Sequence, residues 1–190
     1  MKKLIAGVLC MILMFVGIIA TAENDVSITG EWVESFDIAK EFEYKKGDVD
    51  ALIDRVWNFA DDGTVTQYFA DSKKASDIIL SLMTKILTAE ISADGAKISD
   101  VAKDEGFSSV QAFVQSIIKQ EKLDTYGSDV EKGTYTVSGN EITCVWPLDN
   151  KENVTVVYIF SLDNKNLTLQ NKESVNVENT DDIIILKTKN

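Results

Sequence analysis

The sequence predicts a mainly β fold: an antiparallel up-and-down barrel of eight strands with a helical insertion of two to three helices after the third. Three observations point there. Short runs of alternating apolar and polar residues are separated by Asp-, Asn- and Gly-containing turns. A different, helical periodicity occupies only the stretch from about 72 to 125. Eight sequential strands in hairpin order need closure to leave no exposed sheet edge.

The elements follow in order. Thr29–Phe36 reads as a first strand. Residues 39–53 carry no clear period; Gly47 and Asp48 mark a turn, and Val49–Ile53 fits one helical turn. Arg55–Ala60 and Thr64–Ala70 flank Asp61-Asp62-Gly63, and Asp-Gly between two β-rich runs is a strong hairpin signal. From Ser72, the residues Ile78, Ile79, Leu82, Met83, Ile86 and Leu87 recur along one face of a helix. Ser99–Lys103 reads as a short helix stopped by Gly106. Ser108, with Gln111 three residues on, reads as the N-cap of a last helix whose stripe is Val110, Phe113, Val114, Ile117 and Ile118.

The strand period returns at Gly133–Ser138 and Glu141–Pro147, which flank Gly139-Asn140. Asn153–Leu162 and Asn166–Lys172 flank Asp163-Asn164-Lys165, and Asp181–Lys187 closes the set. Two strands are apolar on both faces: Val157 and Ile159 lie opposite Tyr158, and Ile183 and Ile185 opposite Ile184 and Leu186. Such strands need cover on both sides, so the helices are expected on the outer face there, with a lid over one barrel end as another placement.

Residues 1–22 have the layout of a secretory signal: Lys2-Lys3, an uncharged run from Leu4 to Ile19, and Ala20-Thr21-Ala22 with small residues at −3 and −1. Cleavage after Ala22 leaves residues 23–190 as one domain, exported to the periplasm or beyond, with no membrane attachment. Retention of the apolar run as an anchor is the alternative, since it nears the length of a spanning helix. Cys10 is not placed for lipidation, as Leu9 precedes it. Cys144 is then the only thiol of the mature chain, so no internal disulfide framework is expected.

Composition excludes several functions. The 190 residues carry 31 acidic and 19 basic side chains and no histidine, for a net charge of −12. There is no Ser-His-Asp triad, Cys-His dyad or His-ligated metal. Such an acidic chain has no general attraction for nucleic acid. Hydrophobic residues make up 45%, too many for a disordered chain.

Several segments resemble bacterial lipocalin-like domains. Gly30-Glu31-Trp32 is similar to their G-x-W start, and Phe59-Ala60-Asp61-Asp62-Gly63-Thr64-Val65 to their F-x-x-D-G-T-V hairpin. Gly133-Thr134-Tyr135-Thr136-Val137 with Gly139-Asn140-Glu141-Ile142-Thr143, then Tyr158–Asp163 with Leu167-Thr168-Leu169, resemble the later hairpins. The resemblance covers most of 28–70 and 132–170. It implies a calycin-type barrel, a structural floor at Gly30 and Trp32, and a small hydrophobic or amphipathic ligand. The chain departs from lipocalins in having Arg55 as its only arginine, no C-terminal helix, and a mid-chain helical insert.

Alternation places Trp57, Phe59, Gln67, Phe69, Tyr135, Trp146, Tyr158 and Phe160 on the inner face. They are the candidate ligand-binding residues; packed core is the alternative, because a small barrel can fill itself. Gln67 among apolar neighbours is either satisfied by backbone or offered to a ligand. Cys144 reads as an inert buried thiol. Asp61-Asp62 and Asp181-Asp182, with Asp149 and Asp163, read as solvated turns rather than a Ca²⁺ site, since no EF-hand spacing is present. Asn153-Val154-Thr155 and Asn166-Leu167-Thr168 fit the glycosylation sequon, which matters only in a eukaryotic secretory pathway. No spacing selects a pair of catalytic carboxylates, so the chain is read as a non-enzyme without metal or cofactor. Two functions stay open: binding of a small ligand in the barrel, or a cell-envelope protein–protein interaction module on a filled barrel.

Overall fold

A computed structural model describes residues 27–147, 152–176 and 183–189. The signal-like segment 1–22, Asp149-Asn150 and Asp181-Asp182 lie outside the described residues. Eight strands form a closed antiparallel barrel in sequence order. They are β1 (Gly30–Asp37), β2 (Leu52–Phe59), β3 (Thr64–Phe69), β4 (Glu131–Ser138), β5 (Glu141–Pro147), β6 (Asn153–Asp163), β7 (Asn166–Val175) and β8 (Ile183–Thr188). The helices described are α1 (Ile38–Glu41), α2 (Ser72–Ala93), α3 (Ile98–Asp104) and α4 (Val110–Gln120), the last three between β3 and β4.

Local chemistry explains the hairpins. At β2–β3 the Asp62 side chain accepts the Thr64 N–H at 2.9 Å, and Gly63 takes φ +81°, a conformation that needs no Cβ. Gly139 takes φ +60° at β4–β5, and Asn164 turns the β6–β7 hairpin at φ +40°. All three turns lie at one end of the barrel. The floor there is closed by Trp32, whose indole N–H donates to the Ile28 carbonyl at 2.8 Å. The helices lie at the opposite end, the mouth.

Helix starts depend on side-chain caps. Asp71 accepts from the Lys74 N–H at 2.9 Å and begins α2. The cap of α4 is Ser109, one residue later than the sequence suggests, accepting from the Ala112 N–H at 3.1 Å. The capping-box reading of Ser108 with Gln111 is therefore corrected. So is the helical turn at Val49–Ile53. The helical turn in that region is α1, capped by Asp37, and Leu52 and Ile53 already belong to β2.

Two hydrophobic cores result. The lower one fills the barrel with Trp32, Trp57, Phe59, Val65, Ile142, Cys144, Val156, Tyr158, Phe160, Leu167, Leu169, Ile184 and Leu186. The upper one joins Phe36 and Ile53, at the mouth ends of β1 and β2, to Ile38 of α1, Ile78, Ile79 and Leu82 of α2, and Val114 and Ile118 of α4. The helices thus use their predicted stripes, but across the mouth. The expectation that they cover the outer faces of β6 and β8 is overturned: Ile183 is 57% and Ile185 56% exposed, and Ile159 also faces solvent. Phe36, Ile53 and Phe69 explain the choice. They point inward above the level where the lower core stops, so helices laid over them bury apolar area on both partners.

Gly133 marks the tightest place in the barrel wall. A Cβ there would lie 2.5 Å from the Val145 carbonyl oxygen and 2.8 Å from Cε3 of Trp146. Backbone cannot yield as a flexible side chain can. Gly133→Ala is expected to destabilise the fold by about 2–3 kcal/mol, read as a lower urea midpoint. An unchanged midpoint would show that β4 and β5 part without cost.

Candidate functional site

The inner face changes character along the barrel axis. At its centre Trp57 is 1% exposed. Its ring stacks on Phe59 at 6.0 Å and meets Trp146 and Tyr158 edge-on at 6.2 and 6.4 Å, while Phe59 meets Tyr135 at 5.1 Å. Tyr135 also donates its hydroxyl to the Ala60 carbonyl at 2.9 Å. Of the residues singled out in the sequence, Trp57, Phe59, Tyr135, Trp146, Tyr158 and Phe160 are brought together here, and largely by packing on each other. Cys144 lies among them, and burial pushes its thiol up to about 12.

Phe69 is not part of that set. It lies at the mouth, 5.8 Å from Phe36 and 5.7 Å from Tyr126 between ring centroids, and packs with the upper core. Its strand runs two residues past Gln67, which carries its side chain out of the lower core. Gly30 and Trp32 lie at the floor end of β1, opposite Phe59 and Trp57.

Between the two cores lies a polar belt. Glu34 of β1 is 8% exposed. Its Oε2 accepts from Nε and Nη2 of Arg55 at 3.0 and 2.8 Å and from the Trp57 indole N–H at 3.0 Å. Arg55 lies opposite Glu34 in the β1–β2 register, and its guanidinium stacks on Phe36 with 3.7 Å to the ring centroid. Three donors to one carboxylate oxygen and a face of aromatic ring hold this pair in one geometry.

Gln67 adjoins it on β3, opposite Trp57 on one side and Glu131 on the other. It is 8% exposed, and its amide has no hydrogen-bond partner among the described residues. Among the described residues no buried polar side-chain atom lacks a partner, so the amide faces space that water can enter. Glu131 shares the inward parity of Gly133 and Tyr135. Its residue is exposed, yet burial raises its carboxyl pKa, with Arg55 opposing the rise and Glu41 and Asp129 adding to it. Tyr126 packs against the upper core; burial pushes its hydroxyl up to about 12, with Glu41, Arg55 and Glu131 nearby.

Sequence reasoning passed over Glu34, Arg55, Glu131 and Tyr126. For the first three a signal existed: Glu34 shares the strand face of Trp32 and Phe36, Arg55 that of Ile53 and Trp57, and Glu131 that of Gly133. Nothing local marks Tyr126, which reaches the mouth from the segment after α4.

A depression of about 260 Å³ is lined by residues including Ser35, Leu52, Asp54, Asp71 and Lys74. The Lys74 ammonium is held there by the Leu52 carbonyl at 2.9 Å. Among the described residues no cluster of three His, Cys, Asp or Glu side chains could hold a metal ion. Compared with protein-family models, curated proteins and solved structures, the chain finds no match.

Proposed function

We propose that this chain is an exported, lipocalin-like binding protein that holds one small amphipathic molecule in the mouth half of its barrel, beneath the helical cap. The observation that carries this reading is Gln67: a residue nine-tenths buried on the inner wall whose amide has no protein partner among the described residues, beside the Glu34–Arg55 ion pair. Water or a ligand must supply the hydrogen bonds of an amide in such a place. The packed aromatic centre serves as a floor for the ligand, and Phe69 and Tyr126 offer it apolar walls. The G-x-W start and the DGTV hairpin support the lipocalin-like reading, and the signal-like N-terminus supports export.

A second reading, an envelope interaction module, is favoured by the outer strip of Ile159, Ile183 and Ile185, since exposed apolar patches often mark partner surfaces. One measurement separates the two. The neutral probe N-phenyl-1-naphthylamine should saturate at one per chain, with energy transfer from Trp57 and Trp146. Gln67→Trp, which fills the recess, should abolish the signal in a variant that still unfolds cooperatively. Ile185→Ser should leave it unchanged. Loss of the signal with Ile185→Ser, and survival with Gln67→Trp, would move the site to the outer strip.

A further inference from the structure

Resting on the mouth site proposed above, we propose that the bound molecule carries a positively charged head group, an alkyl- or arylalkylammonium, seated between Glu131 and Gln67 with its apolar body on Phe69 and Tyr126. Charge accounting in the mouth leads there. The charged groups that act on Glu131 are Arg55 from β2, Glu41 from α1 and Asp129 from the segment before β4, and Glu131 in turn acts on Tyr126 of that segment. Arg55 is the only arginine of the chain, and both its Nε and Nη2 are spent on Glu34. That pair cancels. The charges left facing the space are negative, and the side chains of Glu131 and Glu41 accept no hydrogen bond among the described residues.

Gln67 supplies the second, independent pointer. It lies directly opposite Glu131 in the β3–β4 register, where side chains of neighbouring strands on one face stand about 5 Å apart at Cβ. A carboxylate and an amide oxygen at that spacing make two acceptors for one ammonium. Three rings lie together at the mouth: Phe69 and Phe42 both contact Tyr126, at 5.7 and 6.2 Å between centroids. Aromatic faces suit both an apolar body and a cation beside it. An anionic head would instead approach the carboxylates of Glu131 and Glu41, with Arg55 already paired to Glu34 through Nε and Nη2.

The test is calorimetry on the full chain near pH 7.5 with three probes of one shape: 4-phenylbutylamine, 4-phenylbutanol and 4-phenylbutanoate. The amine should bind one per chain and about tenfold tighter than the alcohol, the value of one charge-assisted hydrogen bond, with the carboxylate weakest. Glu131→Gln should bring the amine to the level of the alcohol without lowering the melting temperature, because it removes a partly desolvated charge. It should also flatten the loss of amine affinity that protonation of Glu131 produces in the wild type as pH falls. Asp94→Asn, at an exposed position remote from the mouth, should change nothing, which separates the site from the general attraction of an acidic chain for cations. Tightest binding of the carboxylate, or an amine affinity indifferent to Glu131→Gln, overturns the head-group assignment while the mouth site stands. If none of the three binds but the naphthylamine probe does, the head-group assignment falls alone; if neither binds, the mouth site falls with it.

Discussion

Trp57→Ala should cost about 4 kcal/mol of folding stability, a large part of the roughly 5–15 kcal/mol that holds a domain of this kind together. Trp57 is 1% exposed and touches Phe59, Trp146 and Tyr158 from the middle of the barrel. Truncation leaves a void that β-sheet walls, tied by hydrogen bonds on both sides of every strand, cannot collapse to fill. It also removes the indole N–H that reaches Glu34 at 3.0 Å. Urea unfolding with fluorescence from the remaining tryptophans measures the loss. Trp57→Phe separates its parts: it keeps most of the ring contact and should cost less than half as much. Equal losses for the two variants would mean that the hydrogen bond, rather than packing, dominates the site.

The second large effect concerns the ion pair. Arg55→Leu should destabilise by about 3 kcal/mol, because the carboxylate it leaves behind is buried. The Glu34 side chain is only 10% exposed and that of Arg55 20%, so solvent screens the pair weakly. Glu34→Gln combined with Arg55→Leu should recover at least half of the loss, since no buried charge then lacks a partner. The double-mutant cycle reads the coupling directly from denaturation midpoints. If the double variant is as unstable as Arg55→Leu alone, the loss comes from guanidinium packing on Phe36 and not from the stranded charge. The same variant should leave the probe's access to the mouth open, because Gln67 and Phe69 are untouched.

The barrel was legible in the sequence wherever a rule of period two met a turn residue. Asp61-Asp62-Gly63, Gly139-Asn140 and Asp163-Asn164-Lys165 fix their hairpins by local chemistry, and a hairpin fixes the face of every residue on both strands. The inward placement of Trp57, Phe59, Tyr135, Trp146, Tyr158 and Phe160 followed. What the period does not carry is height along the barrel axis. Gln67 and Phe69 share a face, yet one borders the lower core and the other joins the helices. The placement of the helices was missed for a related reason. The stripe of Ile78, Ile79 and Leu82 says that α2 packs on something apolar, and two surfaces offered themselves: the outer face at Ile183 and Ile185, and the ring of Phe36, Ile53 and Phe69. Only three-dimensional closure shows that the second is a rim with nothing else to cover it. The polar belt was obscured because charge was read as exposure. Glu34 and Arg55 sit on inward positions of their strands, and the alternation that marked Trp32 and Trp57 applied equally to them.

The insertion of α2–α4 between β3 and β4 has a consequence for how the barrel forms. Six of the eight pairings, those within β1–β2–β3 and within β4 to β8, join strands near in the chain and can assemble as two meanders. The two remaining seams are non-local. The β3–β4 seam must bring Gln67 to Glu131 across the whole helical segment, and the β1–β8 seam joins the ends of the barrel through a register of two residue pairs, Trp32 with Thr188 and Val33 with Lys187. Loop-closure entropy falls on these seams, so closing them is the costly part of assembling the cylinder. The upper core is built from side chains of the first meander and of the insert, so the contacts that hold the helices on Phe36 and Ile53 do not depend on the β3–β4 seam.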